Sequence, residues 1–167
     1  MSEEFYRIKR LPPYVIAEVN GMRAEARAAG RDIIDLGMGN PDLPPPQHVI
    51  DKLCEVAMKP DAHGYSASSG IPGVRKAQAN YYARRFGVEV DPETEVVMTM
   101  GSKEGLASLA TAMTAPGDVV LAPNPSYPIH TFGFIIAGAT IRSVPTTPDE
   151  AYFAALERAM AFTVPRP

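Results

Sequence analysis

A serine and a lysine that follow an apolar run are the residues best suited to binding chemistry in this sequence. The run covers residues 96–100 and passes through Gly101 into Ser102 and Lys103, after which apolar residues recur at helical spacing. The first N–H groups of a helix have no partner within it, and the helix dipole attracts anions to them, most often phosphate. A lysine in the first turn opposes that dipole unless an anion lies nearby. The pattern therefore predicts an anion site, although a capping serine beside a solvated lysine explains the same residues.

Tyr127 is a second candidate because it follows another predicted strand, at residues 119–122. Ligands of open parallel sheets bind beyond the carboxyl ends of the strands. An anion site and an aromatic ring at one edge suit a ligand with a phosphate and a planar ring, and stacking on the ring adds about 1 kcal/mol. A tyrosine that only packs on the neighbouring prolines is the alternative. The glycine pattern of dinucleotide binders and the Walker A pattern are both absent from the sequence, which argues against NAD or ATP bound in the usual ways.

The elements that position these residues form a predicted β-α-β-α-β segment over residues 96–144. Its strands are short and almost continuously apolar, which is typical of parallel strands covered by helices on both faces. The sequence therefore predicts an α/β fold. The strands are expected at residues 96–99, 119–122 and 140–144, with a helix at 129–137. Outside this segment we expect an irregular arm over residues 1–14, a short strand over 33–36, and helices over 15–29, 47–58, 74–86 and 151–162.

The composition is that of a globular protein with one sizeable core, since 46% of the 167 residues are apolar and 21% are charged. A net charge of −3 and a pI near 5.6 argue against nucleic acid or an anionic membrane as the main partner. No apolar segment approaches the length of a membrane span, and the acidic first residues do not resemble a secretory signal. The single Cys54 cannot form an internal disulfide, so we expect a cytoplasmic protein. Three histidines lie far apart without metal-ligand spacing, so we expect no metal site: His48, His63 and His130.

Four segments, taken in order along the chain, resemble a known family of enzymes. They are Gly37–Asp42, then Gly64–Tyr65 with Gly70–Arg75, then Gly101–Gly105, and finally Asn124–Pro128. Together they resemble the fold-type I pyridoxal-phosphate aminotransferases of class I/II. The residues of these segments are most similar to those of the glutamate–pyruvate (alanine) aminotransferases, and the LL-diaminopimelate aminotransferases are nearly as similar. The resemblance implies transfer of an amino group between alanine or a related amino acid and a 2-oxo acid such as 2-oxoglutarate.

The resemblance also implies an architecture. The chain is similar to the N-terminal arm and about half of the large domain of fold-type I enzymes, which is a three-layer sandwich of helices around a sheet. We therefore expect residues 1–46 to hold the arm, a helix and a short strand with a substrate loop. Residues 47–167 are expected to form the first part of the cofactor-binding domain, cut short before the sheet is complete.

A role for each motif residue follows from the same resemblance. Gly101, Ser102 and Lys103 would hold the phosphate of pyridoxal 5′-phosphate, and Tyr127 would stack on its pyridine ring. Tyr65 would reach across a homodimer to the cofactor phosphate of the partner subunit. On the substrate side the implied positions are Gly39 at the α-carboxylate, Tyr14 from the arm, and Lys103.

The lysine that forms a Schiff base with the cofactor has no counterpart here. No lysine of the chain stands in the family's Schiff-base context, and the partners of the pyridine ring and the arginine that binds the α-carboxylate are missing too. In this family all of these groups come later than Pro167, so the resemblance implies no catalytic residue in this sequence. We therefore expect an aminotransferase as the whole protein, and an inactive chain when these 167 residues stand alone. The alternative is a non-catalytic fragment that binds a phosphate ligand or dimerises.

Overall fold

The computed structural model describes residues 5–37, 39 and 41–167. Two compact units are present. The sheet unit contains the chain up to Pro12 together with Val97–Pro167, and the helical unit contains Pro13–Val96. No helix in the described part has the length and apolar character needed to cross a membrane. The elements, in chain order, are α1 (Tyr6–Lys9), α2 (Val15–Ala28), α3 (Gln47–Ala57), α4 (Pro72–Phe86), α5 (Ser102–Met113), β1 (Val119–Asn124), α6 (Ile129–Ala137), β2 (Thr140–Pro145) and α7 (Ala151–Phe162).

Two parallel strands joined by a helix form the centre of the sheet unit. β1 and β2 pair from Val119 opposite Thr140 to Asn124 opposite Pro145, and α6 connects them. A crossover of this kind is required because parallel neighbours cannot be joined by a tight turn. The strands predicted at 119–122 and 140–144 are confirmed, and each runs slightly farther than predicted. The α/β class follows from this parallel pair and the helices that pack on it.

Small side chains fill the core of the sheet unit. Ala110 and Ala139 are fully buried, and Val144 is 2% exposed. Helix α5 packs closely on α6, since a Cβ added at Gly133 would lie 3.7 Å from the Cα of Ala107. Close packing of small residues fixes the two helices that flank β1. The N-terminus of α5 and the turn before α6 are held in place as a result.

Two predicted strands do not form. Residues 96–99 and 33–36 show no strand pairing in the part of the chain that the structure describes. Val97 and Ile34 are exposed over 63% and 89% of their surface. Apolar, β-branched residues favour a strand only where a neighbouring strand pairs with their backbone, and the sequence pattern does not report that neighbour. The sheet of the described chain therefore has two strands instead of the three expected between residues 96 and 144.

Helices α2, α3 and α4 are the regular elements that the structure describes in the helical unit. They lie within two residues of the bounds predicted from the sequence. Helix α4 has Pro72 in its first turn and ends at Gly87, whose φ of +66° favours glycine. Among the described residues of this unit, only Arg75 and Ala79 are buried. The unit is therefore poor in apolar core, and its loops depend on polar contacts.

The N-terminal arm contains one helical turn that the sequence analysis did not predict. In α1, the N–H groups of Ile8 and Lys9 donate to the carbonyl of Phe5. The arm is anchored by Arg10, whose Nη2 donates to the carbonyl of Ala139 at 3.2 Å. A single turn is too short to show helical periodicity in a sequence, which is why this element was missed.

Candidate functional site

The chain turns sharply at Gly101 before it enters helix α5. Gly101 is the N-cap residue, and its φ of +92° lies in the region that favours glycine. The Thr99 hydroxyl donates to the Gly101 carbonyl at 3.1 Å, and the Met100 N–H donates to the Glu104 carboxylate. A Cβ at Gly105 would lie 3.1 Å from Thr99 Oγ1, so glycine at this position lets the threonine lie against the first turn. Local hydrogen bonds and one close approach thus fix the shape of the turn.

The N-terminus of α5 is suited to an anion. Gly101 has no side chain that could accept hydrogen bonds from the first-turn N–H groups, and the Glu104 carboxylate is turned back onto Met100. The N–H groups and the positive end of the helix dipole attract negative charge. The Ser102 hydroxyl adds a donor and the Lys103 ammonium adds a positive charge. Ser102 is the first residue of the helix and not its N-cap, so the capping-serine alternative does not describe this turn.

Lys103 and Tyr127 meet across the site. The Nζ of Lys103 lies over the Tyr127 ring, 5.1 Å from its centroid, at cation–π distance. Tyr127 follows β1 and precedes α6, and its carbonyl accepts from the N–H of His130 at 3.0 Å. The rings of Tyr127 and His130 form an edge-to-face pair with centroids 6.3 Å apart. The structure therefore brings together the aromatic residue and the cation that the sequence analysis selected separately.

An open pocket of about 440 Å³ joins these groups. Its volume lies within the usual range for small-molecule sites. The polar part of its lining comes from Ser102, Lys103, Tyr127 and His130, and the apolar part from the side chains of Leu106, Leu109 and Ile129. The helix start with its positive charge, next to an aromatic ring, would accommodate a small ligand that carries both an anionic group and a planar ring.

His130 is the pocket residue that sequence reasoning missed. From the sequence, His130 was considered only as a metal ligand and was set aside because it lacks metal-ligand spacing. It stands three residues after Tyr127, in the first turn of α6, and residues three apart at a helix start share a face. The spacing of three residues between Tyr127 and His130 was the available signal. It indicates a shared site only once Tyr127 is known to stand just before helix α6.

The remaining site candidates lie in the helical unit. Tyr65 is fully exposed in the loop between α3 and α4, with a relative exposure of 109%. Tyr14 is the N-cap residue of α2 and is 43% exposed. Gly39 is exposed, and its neighbours Met38 and Asn40 in the same motif lie outside the described residues. These three positions stay predictions, and they belong to a different unit from Ser102, Lys103 and Tyr127.

Two carboxyl groups of the helical unit have lowered pKa values. Hydrogen bonds from Lys52, and then from Lys59, lower the pKa of Glu55 below its ordinary 4.5. A hydrogen bond from the backbone N–H of Glu93, followed by one from a threonine hydroxyl, lowers the pKa of Asp91 below its ordinary 3.8. Both causes are local to one helix or one turn. These carboxylates therefore accept hydrogen bonds that stabilise local structure.

Comparison with known proteins gives one consistent family. The family model described as "Aminotransferase class I and II" matches residues 31–162. A protein of Rhizobium meliloti (strain 1021) named as an aminotransferase, AatC, is 64% identical over 165 residues, which are 99% of this chain and 41% of that protein. The glutamate-pyruvate aminotransferase AlaC of Escherichia coli (strain K12) is 53% identical over 99% of this chain and 40% of its own length. An LL-diaminopimelate aminotransferase of Desulforudis audaxviator (strain MP104C) is 44% identical over 98% of this chain and 42% of its own length.

A solved structure supports the same fold. The aspartate aminotransferase from Thermotoga maritima superposes with a TM-score of 0.85 at 27% identity, over 96% of this chain and 42% of that structure. The expected family and fold type are confirmed by these matches. The chain spans about two fifths of the length of the curated relatives it matches.

Proposed function

We propose that the whole protein transfers amino groups, because this chain belongs to the class I and II aminotransferase family. The named relatives are aminotransferases, and one of them, AlaC, is named for glutamate and pyruvate. Because the chain covers about 40% of those relatives, the activity is proposed for the whole protein. The observation that carries the proposal is the pocket in which the N-terminus of α5 and Lys103 face the ring of Tyr127.

The residues of this pocket fit pyridoxal 5′-phosphate, the cofactor on which the family depends. Such a cofactor has one phosphate and one planar ring, and the pocket offers an anion-binding helix start and an aromatic face. We propose that the N–H groups after Gly101, with Ser102 and Lys103, hold the phosphate. Tyr127 would lie against the pyridine ring and set its tilt. When bound, the cofactor supplies an electron sink for chemistry at the amino-acid α-carbon.

The chain's own contribution is binding and orientation. Helix α5 holds the phosphate donors, and the short turn between β1 and α6 holds the stacking ring, which would orient the cofactor. Lys103 is also proposed to face the substrate, together with Gly39 at the α-carboxylate and Tyr14, the residue that precedes α2. The lysine that attaches the cofactor is proposed to come from a part of the protein other than these 167 residues, as are the ring-nitrogen partner and the carboxylate-binding arginine.

The proposed substrates are alanine or a related amino acid and a 2-oxo acid such as 2-oxoglutarate. This choice is supported by the higher identity to AlaC, 53%, than to the LL-diaminopimelate aminotransferase, 44%. The active form is proposed to be a cytoplasmic homodimer in which Tyr65 reaches the cofactor phosphate of the partner subunit. Full exposure of the Tyr65 side chain supports that role, because it leaves the phenol available to a second subunit.

The substrate proposal is tested by steady-state kinetics on the full-length protein loaded with pyridoxal 5′-phosphate. Alanine with 2-oxoglutarate should give the highest kcat/KM among alanine, a branched apolar amino acid and LL-diaminopimelate. A strong preference for diaminopimelate would overturn the substrate assignment but leave the reaction class intact. Absence of turnover with every amino donor would overturn the reaction class.

The cofactor site is tested separately by binding measurements. Tyr127→Ala should weaken binding of pyridoxal 5′-phosphate roughly 10-fold, while Tyr127→Phe, which keeps the ring, should bind within about twofold of the parent protein. Ser102→Ala should weaken binding of pyridoxal 5′-phosphate more than that of pyridoxal, which lacks the phosphate. Equal effects on both ligands would show that Ser102 does not hold the phosphate.

The 167-residue chain alone is proposed to bind the cofactor only weakly and to have no transaminase activity. Borohydride reduction in the presence of pyridoxal 5′-phosphate, followed by mass spectrometry, should give no stoichiometric adduct on a single lysine. A stoichiometric adduct together with turnover of alanine and 2-oxoglutarate would contradict this proposal.

A further inference from the structure

The loop that carries Tyr65 is fixed at one end by a short chain of hydrogen bonds. Tyr65 itself is fully exposed, so packing does not hold its ring. A turn begins two residues after Tyr65, at Ala67, and is closed by the N–H of Gly70, which donates to the carbonyl of Ala67 at 2.9 Å. The carbonyl of Gly70 in turn accepts from Nε of Arg75 at 3.2 Å. The direction in which the loop leaves α4 therefore depends on where the Arg75 side chain lies.

Arg75 is a buried cation with three separate acceptors. It is 6% exposed, and besides Gly70 it donates through Nη1 to the carbonyl of Pro92 and through Nη2 to Oε2 of Glu93 at 3.1 Å. The planar guanidinium offers donors in several fixed directions, which a lysine ammonium cannot reproduce. A buried charge without these partners would be costly, so all three acceptors are held in position. Arg75 thus joins the end of the Tyr65 loop to the turn at residues 91–95.

The two carbonyl contacts matter more than the ion pair. Glu93 is 66% exposed at its side chain, and an ion pair with so much solvent contact contributes little. The carbonyl of Gly70 belongs to the backbone of the Tyr65 loop, so its hydrogen bond acts on the loop directly. The geometry therefore separates a positioning contact, to Gly70, from a solvated one, to Glu93.

We propose that Arg75 is a positioning residue for Tyr65 and, through it, for the phosphate of the cofactor bound by the partner subunit. This inference rests on the proposed function, in which Tyr65 reaches that phosphate. Arg75 does not touch the cofactor; it fixes the loop end from which the tyrosine extends. Loss of Arg75 should therefore weaken recognition of the phosphate specifically and leave recognition of the pyridine ring unchanged.

The test measures dissociation constants of pyridoxal 5′-phosphate and of pyridoxal in the full-length apoprotein. The variants are Tyr65→Phe, Arg75→Gln and the double variant, and the quantity compared is the ratio of the two constants. Each single variant should raise the phosphate-to-pyridoxal ratio roughly 10-fold, the size expected for a lost hydrogen bond to a charged acceptor. The double variant should raise it no further than Tyr65→Phe does, because both changes remove the same contact.

Two controls separate positioning from general loosening. Glu93→Gln keeps the carbonyl contacts of Arg75 and should leave the ratio unchanged, whereas Arg75→Lys should give an intermediate ratio. A general loss of structure would weaken binding of both ligands alike and leave the ratio of their dissociation constants unchanged. An unchanged ratio in Arg75→Gln would therefore overturn the inference. Additive effects on the ratio in the double variant would also overturn it. If Arg75→Gln does not yield a folded dimer, Arg75→Lys takes its place in the single and double variants, and the same ratios test the inference. An unchanged ratio in Tyr65→Phe would instead refute the proposed role of Tyr65.

Discussion

The sheet unit and the helical unit are stabilised by different kinds of interaction. In the sheet unit the buried residues are mostly small and apolar, as at Ala110, Ala139 and Val144. In the described part of the helical unit they are only Arg75 and Ala79. Apolar burial is non-directional and scales with area, whereas a buried guanidinium stabilises only when each acceptor is in place. The comparison indicates that the sheet unit is rigid through packing, while the loops of the helical unit depend on a few directed bonds.

This difference matches the tasks proposed for the two units. Ser102 is the first residue of α5, and Tyr127 stands in the four-residue turn between β1 and α6, where the packed core sets the binding geometry. Tyr65 stands in a loop, as binding residues often do when they must extend from a scaffold. A phosphate site needs fixed donors, and a contact to a second subunit needs an exposed side chain. The variants that follow test whether each unit really depends on its own kind of interaction.

Replacement of Arg75 by methionine should have the largest effect, confined to the helical unit. Methionine fills much of the same volume but leaves the carbonyls of Gly70 and Pro92 without their donor. We expect a loss of roughly 2–4 kcal/mol in the free energy of local opening. Hydrogen exchange on the full-length protein should accelerate across α4 and stay unchanged across β1 and β2. The exposed neighbour Lys76 gives the control, since Lys76→Met should change neither region.

Truncation of Val144 to alanine should produce the opposite pattern. Val144 is the large side chain most completely buried in the described chain, and its loss removes two methyl groups and leaves a cavity. We expect a cost of about 2 kcal/mol, seen as faster exchange in β1 and β2 with α4 unaffected. Val164→Ala is the matched control, because Val164 is 93% exposed and should cost almost nothing. Equal acceleration of hydrogen exchange in both units would show that they unfold together. The two units would then not be stabilised independently.

Much of the sheet unit could be predicted from the sequence because its signals are local. The helix bounds Ile129–Ala137 and Ala151–Phe162 were predicted without error, since apolar periodicity and a stop at Gly138 mark them. Parallel strands at residues 119–122 and 140–144 were predicted from the alternation of strands and helices, and β1 and β2 form such a pair. The helix start that carries Gly101, Ser102 and Lys103 lies where the sequence pattern predicted it, and the anion site proposed there stays a prediction.

What the sequence could not report depends on distant neighbours. Residues 96–99 have the composition of a strand but no strand partner in the described chain, so no ladder forms. The burial of Arg75 depends on carbonyls five and seventeen residues away, which no periodicity connects. His130 joined the site only once α6 had placed it beside Tyr127. In each case the missing information was which backbone or side chain would be nearby.

Two glycines of the sheet unit differ in how closely their surroundings are packed. Both lie inside helices, where glycine-to-alanine changes usually stabilise by roughly 0.5–1 kcal/mol. At Gly133 a new Cβ meets its nearest neighbours at 3.7 Å, an ordinary contact, so Gly133→Ala should show that gain. At Gly105 it would lie 3.1 Å from Thr99 Oγ1, so Gly105→Ala should lose the gain or destabilise. Thermal unfolding should reveal the difference, and Thr99→Ala combined with Gly105→Ala should restore the gain. Equal gains at both glycines would mean that the turn before α5 is not tightly fixed.

The smallest effects are expected at the two carboxylates of the helical unit, where directed bonds are most exposed to solvent. Folding lowers the pKa of Asp91 below 3.8, mainly through the backbone N–H of Glu93. The unfolded chain therefore takes up this proton first as the pH falls, so the stabilisation is complete well above pH 3.8 and is lost as the pH drops toward the folded pKa. Asp91→Asn should accordingly differ from the parent protein at neutral pH and converge with it in acid.

Salt should distinguish the two carboxylates, because their pKa values are lowered by different donors. The donors to Glu55 are the charged side chains of Lys52 and Lys59, whereas those to Asp91 are mainly a neutral amide and a hydroxyl. Raising ionic strength from about 0.05 M to about 1 M shortens the Debye length to about 3 Å and screens exposed ion pairs. In NMR titrations of the side-chain carboxyl carbons, the pKa of Glu55 should rise back toward 4.5 with added salt while that of Asp91 changes little. If both pKa values rise equally, charge and not hydrogen-bond geometry orders the turn at Asp91. The helical unit would then depend on screened electrostatics at its surface, and directed bonds would be limited to the buried Arg75.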